Sequence, residues 1–192
     1  MNLPNKITTA RFFMIIVFLV FLWLPGVVAK STALLISVLI GVSDYLDGYY
    51  ARKYNLQTIF GQLMDPLADK IFICSAFIAF VGMNIVPAWI VVLIISREFL
   101  VTGLRLIALT RGRVIEARGS AKHKTVYQLV AINAILLRLV LEEGFGSWNR
   151  ENVFVGLYDL FVQAMIYLVV FMTVWSGAQY LLTHKDVLIE EK

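Results

Sequence analysis

Four aspartates fall at helical spacing inside one short stretch of a mostly apolar chain: Asp44 and Asp47, then Asp65 and Asp69. Separations of three and four residues put each pair on one face of a helix. An aspartate near the centre of a membrane helix costs about 2.5–3.5 kcal/mol on insertion scales, less toward the interface, and four together add mutual repulsion. Arg52 and Lys70 alone cannot neutralise four acids. Divalent cations can. An all-oxygen donor set suits hard Mg²⁺, Mn²⁺ or Ca²⁺, and the lack of His or Cys in the cluster argues against zinc. Gly41, Gly48, Ala51 and Gly61 remove side-chain bulk around this face, so that two helices, or a ligand and a backbone, can come close. A structural role also suggests itself for Asp65, which could cap a helix beginning at Pro66. That would account for one acid of the four.

The elements that must hold these acids are membrane helices. Of the 192 residues, 60% are apolar and only 16% charged, against about 25% charged in ordinary soluble domains. Apolar runs near the 20 residues needed to cross a bilayer recur throughout. The expected fold is therefore all-α, a single membrane domain over residues 1–192. Six transmembrane spans are expected, at about 12–28, 32–51, 65–83, 86–107, 125–141 and 153–182. Leu3, Ile7, Ala10 and Met14 recur at three- and four-residue intervals, which predicts a short amphipathic interfacial helix ahead of the first span. The same region imitates a secretory signal ending at Val27-Val28-Ala29, but Pro25-Gly26 interrupts its apolar run. Of 17 Lys and Arg, only Lys30, Arg138 and Arg150 fall on the side opposite the termini. That bias places both termini, and the inner ends of the second and third spans with their aspartates, in the cytoplasm. The net charge of +4 is thus a topology signal, and no nucleic-acid partner is expected.

A second constellation lies farther along. Arg97 and Arg105 are eight residues apart on the fourth span, nearly on one helix face, and that span runs inward toward the level of the acids. Guanidinium forks suit a phosphate dianion. Arg97 is well inside the span, where an unpaired charge is costly, and Glu98 is expected to point away from it around the helix. Beyond lie Arg111, Arg113, Arg118, Lys122 and Lys124, leading to Thr125 and Gln128. About half of that stretch reads as ordinary positive-inside charge. Arg97, Arg105, Arg118 and Lys122 are the expected ligands of an acceptor phosphate.

The pattern D-x2-D-G-x2-A-R-x8-G-x3-D-x3-D, complete over residues 44–69, resembles the signature of the CDP-alcohol phosphotransferases, membrane enzymes of phospholipid synthesis. The resemblance implies two divalent cations, Mg²⁺ or Mn²⁺, held by Asp44, Asp47, Asp65 and Asp69, with Asp69 also the general base. It further implies that Asn5, Thr8, Asp47, Gly48, Ala51, Arg52 and Gly61 bind the CDP-lipid. The strings Leu3-Pro-Asn5-Lys-Ile-Thr8-Thr-Ala-Arg11, Asp65-Pro-Leu-Ala-Asp69-Lys70 and Ser96-Arg97-Glu98 leading to Gly103-Leu-Arg105 resemble the branch of that family that uses sn-glycerol 3-phosphate. The implied reaction is transfer of a phosphatidyl group from CDP-diacylglycerol to glycerol 3-phosphate with release of CMP. It would take place at the cytoplasmic face of a bacterial-type inner membrane, in a homodimer surrounded by membrane lipid.

Other acceptors, such as inositol phosphate, serine or a finished phospholipid, would preserve the chemistry; serine has no phosphate for Arg97 and Arg105. A divalent-cation transporter would use the same acids, but there is no inverted repeat and the acids lie at one face instead of the midplane. Cys74 is the only cysteine, so no intrachain disulfide can form; it reads as a packing residue. His123 and His184 are isolated. Trp23, Trp89, Trp148 and Trp175 fall near span ends, as interfacial aromatics do. Tyr45, Tyr49 and Tyr50 read as packing and headgroup-level residues. Residues from about 140 onward carry no motif and read as scaffold.

Overall fold

The computed structural model describes residues 3–54, 59–110, 119–145 and 153–183, with side chains at 10–43, 67–68, 70–108, 124–145 and 153–183. Within these residues the only regular secondary structure is helical: α1 (Leu3–Trp23), α2 (Val27–Tyr54), α3 (Ile59–Gly82), α4 (Ala88–Thr110), α5 (Gly119–Phe145) and α6 (Val153–Thr183). The shortest has 21 residues, and at about 1.5 Å per residue it is long enough to cross a hydrocarbon layer of about 30 Å. By apolarity as well as length, α5 from Lys124 onward and α6 qualify as membrane-crossing, with shorter apolar stretches at Ala10–Trp23, Val27–Ser43 and Lys70–Gly82.

The helix contacts form a closed ring. Going round, α1 packs on α2, α2 on α5, α5 on α6, α6 on α4, α4 on α3 and α3 on α1, while α3 also reaches across to α5. Phe18 and Phe72 meet edge to face at 5.3 Å between α1 and α3. Phe77, Phe80, Ile90, Ile94, Ile132, Ile135 and Leu136 fill the rest of the interior. The outward faces are also apolar: Phe13, Val28, Phe99, Phe154 and Leu182 are all largely exposed. A water-soluble bundle would present polar residues there, and exposed apolar surface on this scale marks contact with lipid.

Chain reversals follow local chemistry. Between α1 and α2 the chain turns at Pro25-Gly26, where Gly26 takes φ +98, a conformation that suits glycine. Asn84 adopts φ 57 after α3, and the Ile85 amide returns to the Phe80 carbonyl at 2.9 Å, as in an αL helix stop.

Three expectations need correction. The amphipathic stretch is not a separate helix, because α1 runs unbroken from Leu3 to Trp23; no Gly or Pro intervenes after Pro4. Asp65 does not cap α3, which begins at Ile59 and carries Pro66 in its interior. Pro66 removes one intrahelical hydrogen bond there, and the residues before it nonetheless remain helical. Gly41 faces α5 rather than α3, since a methyl at this position would meet Leu129 at 3.7 Å.

Candidate active site

The end of the bundle that carries the aspartate motif, called the inner end after the orientation expected from the sequence, is built from the later turns of α2, the early turns of α3, the second half of α4, the start of α5 and the end of α6. Helical backbone runs continuously through Asp44 and Asp47 on α2 and through Asp65 and Asp69 on α3. Both pairs thus have the one-turn spacing that the motif requires. Only residues 55–58 separate the two helices, so their facing ends lie within about 18 Å of each other. The side chains of the four aspartates lie outside the described ones, as do those of Asn5, Thr8, Ala51, Arg52 and Lys122, while Gly48 and Gly61 are placed only as helical backbone; Arg118 lies outside the described residues altogether. In donor chemistry the four acids fit hard divalent cations.

The basic half of the site is described in detail, and it draws on four helices. Arg97 and Arg105 both project from α4, with their Nε atoms buried and, among the described residues, without a hydrogen-bond partner. Lys70 of α3 donates to the Thr102 hydroxyl, which in turn donates to the Glu98 carbonyl at 2.7 Å. Lys124 of α5, almost fully buried, forms an ion pair with the Glu98 carboxylate. One turn of α4 therefore holds a lysine from each of two neighbouring helices. The expectation that Glu98 turns away from Arg97 is corrected: its Oε1 stands 3.4 Å from Arg97 Nη1. Adjacent residues on a helix project about 100° apart, but two long side chains can bend toward the same buried pocket.

Among the described side chains, four cations gather around one carboxylate, Glu98, and the aspartate motif belongs to the same end of the bundle. Guanidinium donors left unused among the described residues are groups of the kind that suit a phosphate.

α6 closes this pocket, in a region that sequence reading treats as scaffold. A methyl at Gly177 would come within 3.3 Å of Arg97 Cγ, so the absence of a side chain there is what lets Arg97 stand as it does. Arg105 lies 6.0 Å from the centre of the Tyr180 ring, within cation–π range. Gln128, one turn beyond Lys124 on α5, is buried with its Nε2 unpartnered. Arg11 of α1, expected among the topology charges, is completely buried. Thr102, four residues after Glu98, is a local signal of this network that sequence reading passes over; the contributions of α5 and α6 come from distant sequence.

The chain is similar to known proteins along most of its length. A family model described as CDP-alcohol phosphatidyltransferase matches residues 1–181. A Bacillus subtilis protein named CDP-diacylglycerol–glycerol-3-phosphate 3-phosphatidyltransferase is 39% identical over 191 residues, covering 93% of each chain. A Rickettsia felis protein of the same name is 34% identical over 180 residues, again 93% of each chain. A Haemophilus influenzae protein, also so named, is 29% identical over 196 residues, spanning 98% of this chain and 96% of its own.

Proposed function

We infer the activity of this chain from its membership of the CDP-alcohol phosphatidyltransferase family, to which it belongs along almost its whole length. It transfers the phosphatidyl group of CDP-diacylglycerol to sn-glycerol 3-phosphate, giving phosphatidylglycerophosphate and CMP. The relatives named for this reaction support the reading. The observation that carries the acceptor is the pair Arg97 and Arg105, whose buried Nε donors have no partner among the described residues.

The reading assigns the chain six membrane spans, both termini in the cytoplasm, and a place in a bacterial-type inner membrane as a homodimer. Asp44, Asp47, Asp65 and Asp69 would hold two divalent cations, Mg²⁺ or Mn²⁺. Bound there, such ions supply neutralisation of the pyrophosphate and of the charge that develops on the departing CMP. The remaining work belongs to the chain's own residues. Asn5, Thr8, Asp47, Gly48, Ala51, Arg52 and Gly61 bind the CDP-lipid, whose acyl chains stay in the bilayer.

Arg97 and Arg105, with Arg118 and Lys122, take the phosphate of the acceptor and orient its C1 hydroxyl in line with the phosphorus that bears diacylglycerol. Asp69 removes the proton from that hydroxyl. The C1 oxygen forms the new bond to phosphorus, and the bond from this phosphorus to the CMP oxygen breaks. Lys70 and Lys124, tied to Thr102 and Glu98, hold the positive field in place without themselves being needed as direct ligands.

The test uses protein purified in detergent with CDP-diacylglycerol and Mg²⁺ or Mn²⁺, offered one alcohol at a time while CMP is measured. Release with glycerol 3-phosphate, and none with serine, is the expected result. Release with inositol phosphate alone would move the assignment to a different acceptor, and no release with any alcohol would remove the enzyme reading.

A further inference from the structure

At the other end of the bundle lies a cavity of about 980 Å³, walled by Lys30 of α2, Ile85 before α4, Arg138 and Glu142 of α5, and Gly156 and Asp159 of α6. Lys30 is 14 residues before Asp44 on the same helix, about 21 Å along its axis. The cavity therefore opens toward the membrane face opposite the aspartates, and no part of the transfer reaction requires it.

Most of its charges are already matched. Asp159 Oδ1 lies 2.7 Å from Arg138 Nε, Glu142 Oε2 is 3.8 Å from Arg138 Nη1, and Glu143 accepts a hydrogen bond from the Gly26 amide at 3.2 Å. Lys30 is the exception. It is 5% exposed, and its ammonium donates to the Leu22 carbonyl at 2.6 Å, but no carboxylate of the described residues pairs with it. An ammonium buried at this depth without a counter-ion is costly, and it has two further N–H groups to give. The first turns of α2 and α6 meet at the same cavity, and helix N-termini favour anions.

These features call for a phosphate, but not for a purely negative ligand. Glu142, Glu143 and Asp159 outnumber Lys30 and Arg138, so an anion alone would deepen a local negative surplus. A zwitterion leaves the balance unchanged. Glu142 and Glu143 stand exposed at the rim, where they can accept from an ammonium group, and Val162 and Ile166 give the inner wall an apolar surface. We propose that this cavity binds the headgroup of a zwitterionic phospholipid carrying a primary ammonium, with its phosphate at Lys30 and its ammonium at the Glu142–Glu143 rim. The site rests on the reading of the bundle as membrane-spanning and is independent of which acceptor the active site uses.

Thermal unfolding of the detergent-purified protein tests it, with titration of short-chain phosphatidylethanolamine, short-chain phosphatidylglycerol or inorganic phosphate. Phosphatidylethanolamine is expected to raise the midpoint saturably by a few degrees, with the other two giving less than half of that rise. Lys30→Met should abolish the rise and Lys30→Arg should keep it. Gly156→Trp is the control that leaves Lys30 in place. A Cβ at Gly156 meets nothing within 4 Å, so the indole can enter the cavity, and the rise should again vanish. CMP release by these variants at saturating substrate should stay within twofold of wild type, which separates failure of this site from failure of the transferase reading. An equal rise with phosphatidylglycerol or inorganic phosphate overturns the proposal, as does no rise at all, or a rise that survives Gly156→Trp.

Discussion

The two ends of the bundle both contain buried charge, but they organise it oppositely. At the inner end, among the described side chains, Lys70, Arg97, Arg105 and Lys124 converge around one carboxylate, Glu98, and both arginines keep a buried donor unused. At the outer end Arg138 is shared between Asp159 and Glu142, and this links α5 to α6 alongside the hydrogen bond from the Tyr158 hydroxyl to the Ala134 carbonyl. Unbalanced charge is expensive to bury and becomes tolerable when a ligand completes it, whereas balanced charge across two helices mainly fixes their register. The first arrangement fits catalysis; at the outer end the Arg138 network fits architecture, and Lys30 alone, outside that network, is left for a ligand.

Substitutions should divide along the same line. Asp69→Asn removes the proposed base and a metal ligand together while keeping the shape of the side chain. CMP release should fall by about a thousandfold or more, with the unfolding midpoint little lowered. Wild-type turnover in this variant would remove Asp69 from the mechanism. Arg97→Ala should raise KM for glycerol 3-phosphate by about ten- to a hundredfold, as expected for loss of charge-assisted hydrogen bonds, and leave KM for CDP-diacylglycerol nearly unchanged. Arg97→Lys should restore only part of the loss, because an ammonium cannot reproduce the planar fork.

At the outer end the signature reverses. Asp159→Ala leaves the Arg138 guanidinium, only 17% exposed, without its nearest carboxylate. Stability should drop by about 2–3 kcal/mol, below the full cost of breaking a deeply buried pair because some solvent reaches it. The variant that remains folded should keep its KM values. A change in the acceptor KM without loss of stability would erase the distinction between the two ends. Thr102→Val probes the inner end more gently. It keeps the side-chain shape, releases Lys70 from its hydroxyl acceptor, and should raise the acceptor KM about fivefold, the value of one ordinary hydrogen bond.

Whatever depends on local spacing was legible in the sequence. The acid motif can be read from residues 44–69 alone, and α6 was placed within one residue because an apolar run begins just after a polar, Gly-containing loop. Helix starts were harder to place. Pro66 invited a boundary that α3 does not have, because one proline costs a single hydrogen bond that a long, well-packed helix can forgo. Arg97 and Arg105 could be found since they share a helix. Their setting could not, because the pairing of Glu98 with Lys124 joins α4 to α5, and Gly177 and Tyr180 arrive from a helix more than 70 residues farther on.

Gly177 gives the smallest effect and the finest test of how α6 shapes the site. Its added methyl would stand 3.3 Å from Arg97 Cγ, tighter than most contacts but directed at a flexible methylene rather than at backbone. Arg97 can therefore yield by a few tenths of an ångström without unfolding anything, and its guanidinium, at the far end of the side chain, moves with it. Gly177→Ala is expected to raise the acceptor KM by about two- to threefold, since positioning is lost but no hydrogen-bonding group is removed. The unfolding midpoint should hold or rise slightly, as alanine is the better helix former. Gly177→Val, with two more carbons aimed at the same methylene, should enlarge the KM effect. If neither variant alters the acceptor KM while both pack normally, Arg97 is oriented by Glu98 alone and α6 is only a neighbour.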